Sequence, residues 1–340
     1  MSIDIAIDLG TSKTVLFGNS RIILEEPTAV TVDADTLNPI YFGTDAKETI
    51  GRTPETLTCI RPIEHGAIAD YDITQAMLSK YMIDAFGNKI IRPQIIACLP
   101  TGLTEVQHKF MGKVIEESGG RNVTVIESPL AAALGVGVDF NEPKGTMVVD
   151  IGAGVTDIAS ISLGGIVQCD SHKVASEDFD EAIIKYVRRT YNIEIGPLTA
   201  EKIKMQIGTV IQRPVDITIV AKGRNLLTGL PEAFEINSKQ IYETVFDTAI
   251  SICNAVRRVI ERTDPDIVSD IMESGIHLCG GGALINGMCE FMSEFIGAKV
   301  TLSADPAHSV IRGAALALKH PKLLKNVNYQ ARSMKELIIE

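Results

Sequence analysis

A two-lobed α/β fold is predicted by three features of this 340-residue sequence. Strand patterns lead into helical clusters twice along the chain, which calls for two layered lobes with a cleft between them. The length exceeds one ordinary core, and 45% hydrophobic content with regular periodicity describes a folded globular protein. Each half also opens with the same device, an apolar strand that delivers an aspartate into a glycine-bearing hairpin turn. In the first half Ile3, Ile5 and Ile7 lead into Asp8-Leu9-Gly10-Thr11-Ser12-Lys13-Thr14. In the second, Met147, Val148 and Val149 lead into Asp150-Ile151-Gly152-Ala153-Gly154-Val155-Thr156-Asp157.

These turns read as two halves of one phosphate clamp. Gly10, Gly152 and Gly154 let backbone approach a ligand, since no Cβ intrudes, and successive amides in such turns form anion nests. Asp8 and Asp150 repel phosphate, so they make sense with a divalent cation, Mg²⁺ held largely through its waters. A single turn of this kind arises by chance; two matched copies point to related half-domains facing one ligand. A third stretch, Ile276–Cys279 followed by Gly280-Gly281-Gly282, predicts a strand, a glycine turn against which a flat ring or ribose can lie, and a helix start that favours phosphate. Neither a P-loop nor a dinucleotide-binding glycine fingerprint is present.

The elements follow in order. Strands are expected at 3–8, 14–17, 22–24 and 28–33, then a short-patterned insertion from Asp33 to about Arg61, turning at Asn38-Pro39, Gly43 and Gly51-Arg52-Thr53-Pro54. A helix at 73–86, a buried strand at 95–99, a helix at 105–118 and a strand at 123–127 complete the first half, with Ser128-Pro129 opening a helix over 130–135. Acidic residues and proline at 139–144 mark the crossing between halves. The second half repeats the scheme with strands at 146–150, 156–163 and 166–172 and a helix at 177–191. A second insertion spans 193–238, with a helix near 200–207 and strands near 215–220 and 233–236. Helices at 239–262, 265–273 and 307–319 and a short strand at 299–302 finish the core.

The net charge of −11 argues against a nucleic-acid partner, which needs a basic face. Six scattered cysteines without a Cys-x-x-Cys pair fit reduced thiols in a cytoplasm. No secretory signal is expected ahead of the first strand, and no apolar run approaches the roughly 20 residues that span a bilayer.

In their order, these motifs resemble the actin, heat-shock-chaperone and sugar-kinase superfamily, and within it the bacterial actin family MreB/Mbl. The match includes stretches without catalytic chemistry: Glu26-Pro27-Thr28, Gly51-Arg52-Thr53-Pro54, Arg61-Pro62-Ile63, Ile68-Ala69-Asp70-Tyr71-Asp72, Thr228-Gly229-Leu230-Pro231 and Asp270-Ile271-Met272. The resemblance implies a two-lobed actin-like (ribonuclease H-like) fold, each lobe with a smaller inserted subdomain. Residues 1–32, 62–140 and 313–340 would form the large part of the first lobe and 33–61 its small part. Residues 141–192 and 239–312 would form the large part of the second lobe and 193–238 its small part. It implies ATP, with GTP as the alternative, bound with Mg²⁺ between the lobes, and head-to-tail self-assembly into filaments that control cell shape or motility. Asp8 and Asp150 would hold the metal, and Gly10, Thr11, Ser12, Lys13, Gly152, Ala153, Gly154 and Thr156 would wrap the phosphates. Glu201 and Lys204 would flank ribose and adenine, and Gly281 and Gly282 would face the nucleoside.

The sequence also departs from the family. Relatives carry Glu-Glu-Pro where this chain has Glu127-Ser128-Pro129, and threonine where Val155 stands; both lost groups serve the attacking water. Ser128 is not a base near neutral pH and suits the cap of the 130–135 helix. Losing a positioned base removes about 10²–10⁴ in rate, so hydrolysis is expected to be weak or absent while binding survives. Lys13 replaces the usual Asn and offers a charge near the phosphates; Ser176 replaces a glycine beside the ribose. The loop from Phe86 through Ile90 and Ile91 to Arg92 resembles the family's membrane-inserting loop, so a peripheral position on the inner membrane face is expected. Other bacterial actin paralogues are further expected partners, and the divergence suits one of several paralogues in a wall-less bacterium such as a spiroplasma. The competing reading is an ATP-dependent small-molecule kinase on the same fold, which would need a carboxylate base; a chaperone would need a client domain for which there is no room.

Overall fold

A computed structural model describes residues 4–87 and 93–320. β1 (Asp4–Leu9), β2 (Lys13–Gly18) and β3 (Arg21–Pro27) form an antiparallel meander. The chain then builds a small sheet from β4 (Val30–Asp33), β5 (Pro39–Phe42) and β6 (Leu57–Ile60), with α1 (Gly43–Thr49) between the last two. The hairpin of β7 (Ile63–Glu64) and β8 (Ala67–Ile68) leads into α2 (Tyr71–Phe86), capped by Asp70, which accepts from Ile73 N at 3.0 Å. β9 (Gln94–Leu99) and β10 (Val123–Glu127), linked by α3 (Glu105–Glu117), add in parallel, giving the order β10-β9-β1-β2-β3. Thr104 and Gln107 close a capping box on α3, and α4 (Ser128–Gly135) ends this half.

The second half repeats the plan. β11 (Thr146–Ile151), β12 (Thr156–Ser162) and β13 (Gly165–His172) form a meander, followed by α5 (Ser176–Tyr191). A small sheet of β14 (Ile193–Glu194), β15 (Thr218–Asn225) and β16 (Pro231–Asn237) carries α6 (Pro197–Ile207) between its first two strands. Then come α7 (Ser238–Arg262), α8 (Pro265–Ser274), β17 (Ile276–Cys279), α9 (Met288–Ile296), β18 (Val300–Leu302) and α10 (Ser309–Lys319). The large sheet has the order β13-β12-β11-β17-β18, with β17 and β18 parallel to β11. Strand for strand, this matches the first sheet, so the duplication read in the two turns extends to the whole topology.

Each lobe has its own core, around Tyr81, Met77 and Leu99 in the first and Phe179, Ile183 and Val256 in the second. A third core joins them: Ala6 and Ile96 of the first sheet and Val148 and Ala159 of the second pack with α4 and α10. The two helices approach so closely that a Cβ on Gly135 would lie 1.9 Å from the Ser309 carbonyl, and one on Gly313 1.7 Å from that of Ala131. That explains the small residues of Ala131-Ala132-Ala133. The helix α10 runs unbroken through the expected boundary at 313, and β4 joins the small sheet ahead of the boundary at 33.

Three local expectations are corrected. Ser128 does not cap α4; it is the first helical residue, and Glu127 holds the cap position without a side-chain cap bond. Pro129 therefore sits at the second position, where its missing N–H still leaves no helical bond unmade. The triple glycine does not open an α-helix but a 3₁₀ turn, Gly281–Leu284; Gly280 and Gly287, at φ 88° and 83°, break the path before α9. The strand expected from 215 starts at Thr218, because Ile217 instead exchanges hydrogen bonds with Ser238.

Candidate functional site

The two hairpin turns are closed by the same bond. Gly10 N donates to Lys13 O at 3.1 Å, and Gly152 N to Val155 O at 2.9 Å. A Cβ at either glycine would stand 2.9 Å from that same carbonyl, so the turn as folded demands glycine. Behind each turn a buried threonine hydroxyl ties it down. Thr14 shares a 2.9 Å bond with Thr28, which donates to Gly10 O, while Thr156 donates to Val174 O at 2.8 Å. The turns face one another, since a Cβ on Gly154 would lie 2.8 Å from Thr11 Oγ1. The β7–β8 turn bridges them: Gly66 N donates to Thr11 Oγ1 at 3.0 Å, and His65 Nδ1 lies 2.9 Å from Gly154 O.

Between the lobes lies a cavity of about 470 Å³. It is lined by Asp8, Gly10, Thr11, Ser12 and Lys13 from the first turn and by Asp150, Gly152, Ala153, Gly154 and Val155 from the second. Ser128, Glu201, Lys204, Gly281 and Gly282 complete the set of expected residues along its wall. Thr156 is the exception: it is fully buried behind its turn and does not line the cavity, because strand alternation sends its side chain to the opposite face.

Like charges gather here. Burial pushes the Asp8 carboxyl up to about 6, with Lys13 and His308 pulling it back. Burial pushes Asp150 up to about 8, reinforced by Asp157 and Asp8. Carboxylates held together in a poorly solvated space are stabilised by a cation, and this donor set fits Mg²⁺. Among the described residues no group of three or more His, Cys, Asp or Glu is arranged to hold a metal by itself, so phosphate and water would supply the remaining ligands.

Asp157 is a residue the sequence reading left without a role. It lies directly across the β11–β12 hairpin from Asp150 and lines the cavity. Burial raises it to about 6, opposed by hydrogen bonds from Ser171 and Thr101; Thr101 Oγ1 lies at 3.2 Å. Hairpin pairing was the signal that could have found it. Arg213, Asn286 and Gly280 also line the cavity, and Gly280 is needed because a Cβ there would meet Asp150 Oδ1 at 2.5 Å. Ser128 and Val155 both reach the cavity.

Three of the expected cavity residues are already engaged by protein partners. Lys13 lines the cavity, yet its ammonium binds Glu25 Oε1 at 2.6 Å. Lys204 Nζ binds Ser176 O, Ser176 Oγ and Asp180 Oδ2 at 2.9, 2.8 and 2.7 Å. Glu201 pairs with Lys47 of the other lobe at 2.9 Å. Phe86, expected at a membrane, packs against the core of the first lobe, and Ile90 and Ile91 lie outside the described residues. No described helix is long and apolar enough to cross a membrane.

Comparison with known proteins agrees with this architecture. The chain is 39% identical over 320 residues to the cell shape-determining protein Mbl of Bacillus cereus, covering 93% of this chain and 96% of that one. MreB5 of Spiroplasma citri, solved bound to ADP and bound to AMPPNP, superposes with a TM-score of 0.90 at 31% identity. The ADP form covers 95% of this chain and 98% of that one. The MamK double helical filament shares the actin-like fold, with a TM-score of 0.79 at 19% identity over 94% of this chain and 99% of that one. The MreB/Mbl protein family model matches residues 2–326, and the chain belongs to that family.

Proposed function

We propose that this chain is a cytoskeletal bacterial actin that binds ATP with Mg²⁺ in the interlobe cavity and polymerises into filaments controlling cell shape or motility, with weak or absent hydrolysis. One observation carries the reading: two hairpin turns of identical build face one cavity from two topologically matched sheets, each bringing an aspartate. Its relative from S. citri was solved with ADP and AMPPNP. Asp8 and Asp150 hold the cation, which when bound neutralises phosphate charge. The turn amides and Thr11 orient the phosphates, and Gly280–Gly282 leave space for the nucleoside. GTP meets the same phosphate contacts.

Hydrolysis is weak because Ser128 offers no base, and Val155 no hydrogen bond, where a water would be activated. Of the other carboxylates on the cavity wall, Asp157 already accepts from Thr101 and Ser171, and Glu201 is paired with Lys47. The same engagement disfavours a small-molecule kinase, which needs a carboxylate free to take a hydroxyl proton. Binding at the inner membrane face would be peripheral.

Sedimentation with ATP, GTP or AMPPNP, run beside a phosphate-release assay, tests the proposal. Equal pelleting with ATP and AMPPNP and little released phosphate is the expected result. Failure of calorimetry to detect uptake of any nucleoside triphosphate would overturn it, and brisk turnover would overturn its second half.

A further inference from the structure

Glu201 and Lys204 stand one turn apart on α6, yet the fold separates their roles. Lys204 stays within its own lobe, its side chain 13% exposed and its ammonium held by Ser176 and Asp180. Glu201 reaches across the cleft. Lys47 Nζ, from the last turn of α1 on the small sheet of the first lobe, lies 3.2 Å from Glu201 Oε1 and 2.9 Å from Oε2. A carboxylate on the cavity wall is thus gripped at both oxygens by a cation from the opposite lobe. A second ion pair, Arg61 to Glu177 at 2.6 Å, joins the lobes where α5 begins, and Glu177 N is bonded to Ala153 O of the second turn.

We infer that Lys47 is a positioning residue for Glu201, and that their ion pair latches the two lobes over the cavity and slows the escape of bound nucleotide. The inference rests on the reading of that cavity as a nucleotide site. A ligand that enters between the lobes must leave between them, so any attraction lost on opening adds to the barrier for release. Both side chains are about one-third exposed, so the pair is partly screened and its effect moderate and sensitive to salt.

The test uses the full chain loaded with a fluorescent ATP analogue and Mg²⁺, chased with unlabelled ATP. Lys47→Met is expected to raise the dissociation rate about threefold, the scale of a partly exposed ion pair. Lys47→Arg should stay near the unmodified rate. Added salt should speed release from the unmodified chain more than from Lys47→Met, which keeps the Arg61–Glu177 pair between the lobes. In a Glu201→Gln background, Lys47→Met should add nothing, since the lysine acts through that carboxylate. An unaltered rate in Lys47→Met, or the same increase with and without the Glu201 carboxylate, would overturn the latch. An unmodified chain that takes up no nucleotide would instead overturn the cavity's assignment, and the latch with it.

Discussion

Opposite Asp8, strand β2 carries Val15; opposite Asp150, strand β12 carries Asp157. The surrounding frames match closely. Each aspartate lies near the end of the central strand of its five-stranded sheet, each turn closes on a glycine, and each is tied from behind by a buried threonine. Yet the first turn pairs its carboxylate with relief from Lys13 and His308, while the second adds a further carboxylate and has valine where the first has lysine. The contrast separates what the backbone requires from what the cavity side chains add. Glycine recurs because the turn cannot close on a Cβ, and threonine because its buried hydroxyl anchors the strand behind the turn. Charge differs under the proposed function because the two lobes would meet different sides of one nucleotide.

The largest expected effect comes from restoring the lost groups on either side of the cavity. Ser128→Glu with Val155→Thr should raise phosphate release by about 10²-fold, within the range for a positioned base. A double variant no faster than the original would mean that some other feature limits hydrolysis. Next in size is an exchange between the turns. Gly154→Ser gives the second turn the serine of the first, but its Cβ would sit 2.8 Å from Thr11 Oγ1 and 3.1 Å from His65 Cα. Nucleotide affinity should fall by about tenfold, the scale of overpacking by one or two kcal/mol, whereas Ser12→Gly should change it little. Equal losses in fluorescence titration would show that the turns do not meet as asymmetrically as described.

Smaller effects test what the frames share. Thr14→Val and Thr156→Val each leave a buried carbonyl or hydroxyl partner unmet, and each should lower unfolding stability by about 1–2 kcal/mol in urea titrations. A cost at only one position would break the equivalence of the two turns. The smallest change is expected at Lys13→Met. Its ammonium is committed to Glu25 in a partly exposed pair, worth about 0–1 kcal/mol, so ATP affinity should stay within about twofold. A tenfold loss in calorimetry would return Lys13 to the phosphates.

The paired turns, the two lobes and the order of the main elements were legible in the chain itself, because they depend on local chemistry. A glycine where a hairpin must close, an aspartate at a strand end and apolar alternation announce themselves over a few residues. The residues expected to meet metal and phosphate do gather along one cavity, Thr156 apart. Tertiary structure alone decided how long side chains are spent. Glu201 meets Lys47 across 154 positions, Lys13 meets Glu25 on the neighbouring strand, and Asp157 enters the cavity through hairpin register. A charged side chain takes whichever opposite charge the packing brings within about 3–4 Å, and no local pattern states which that is.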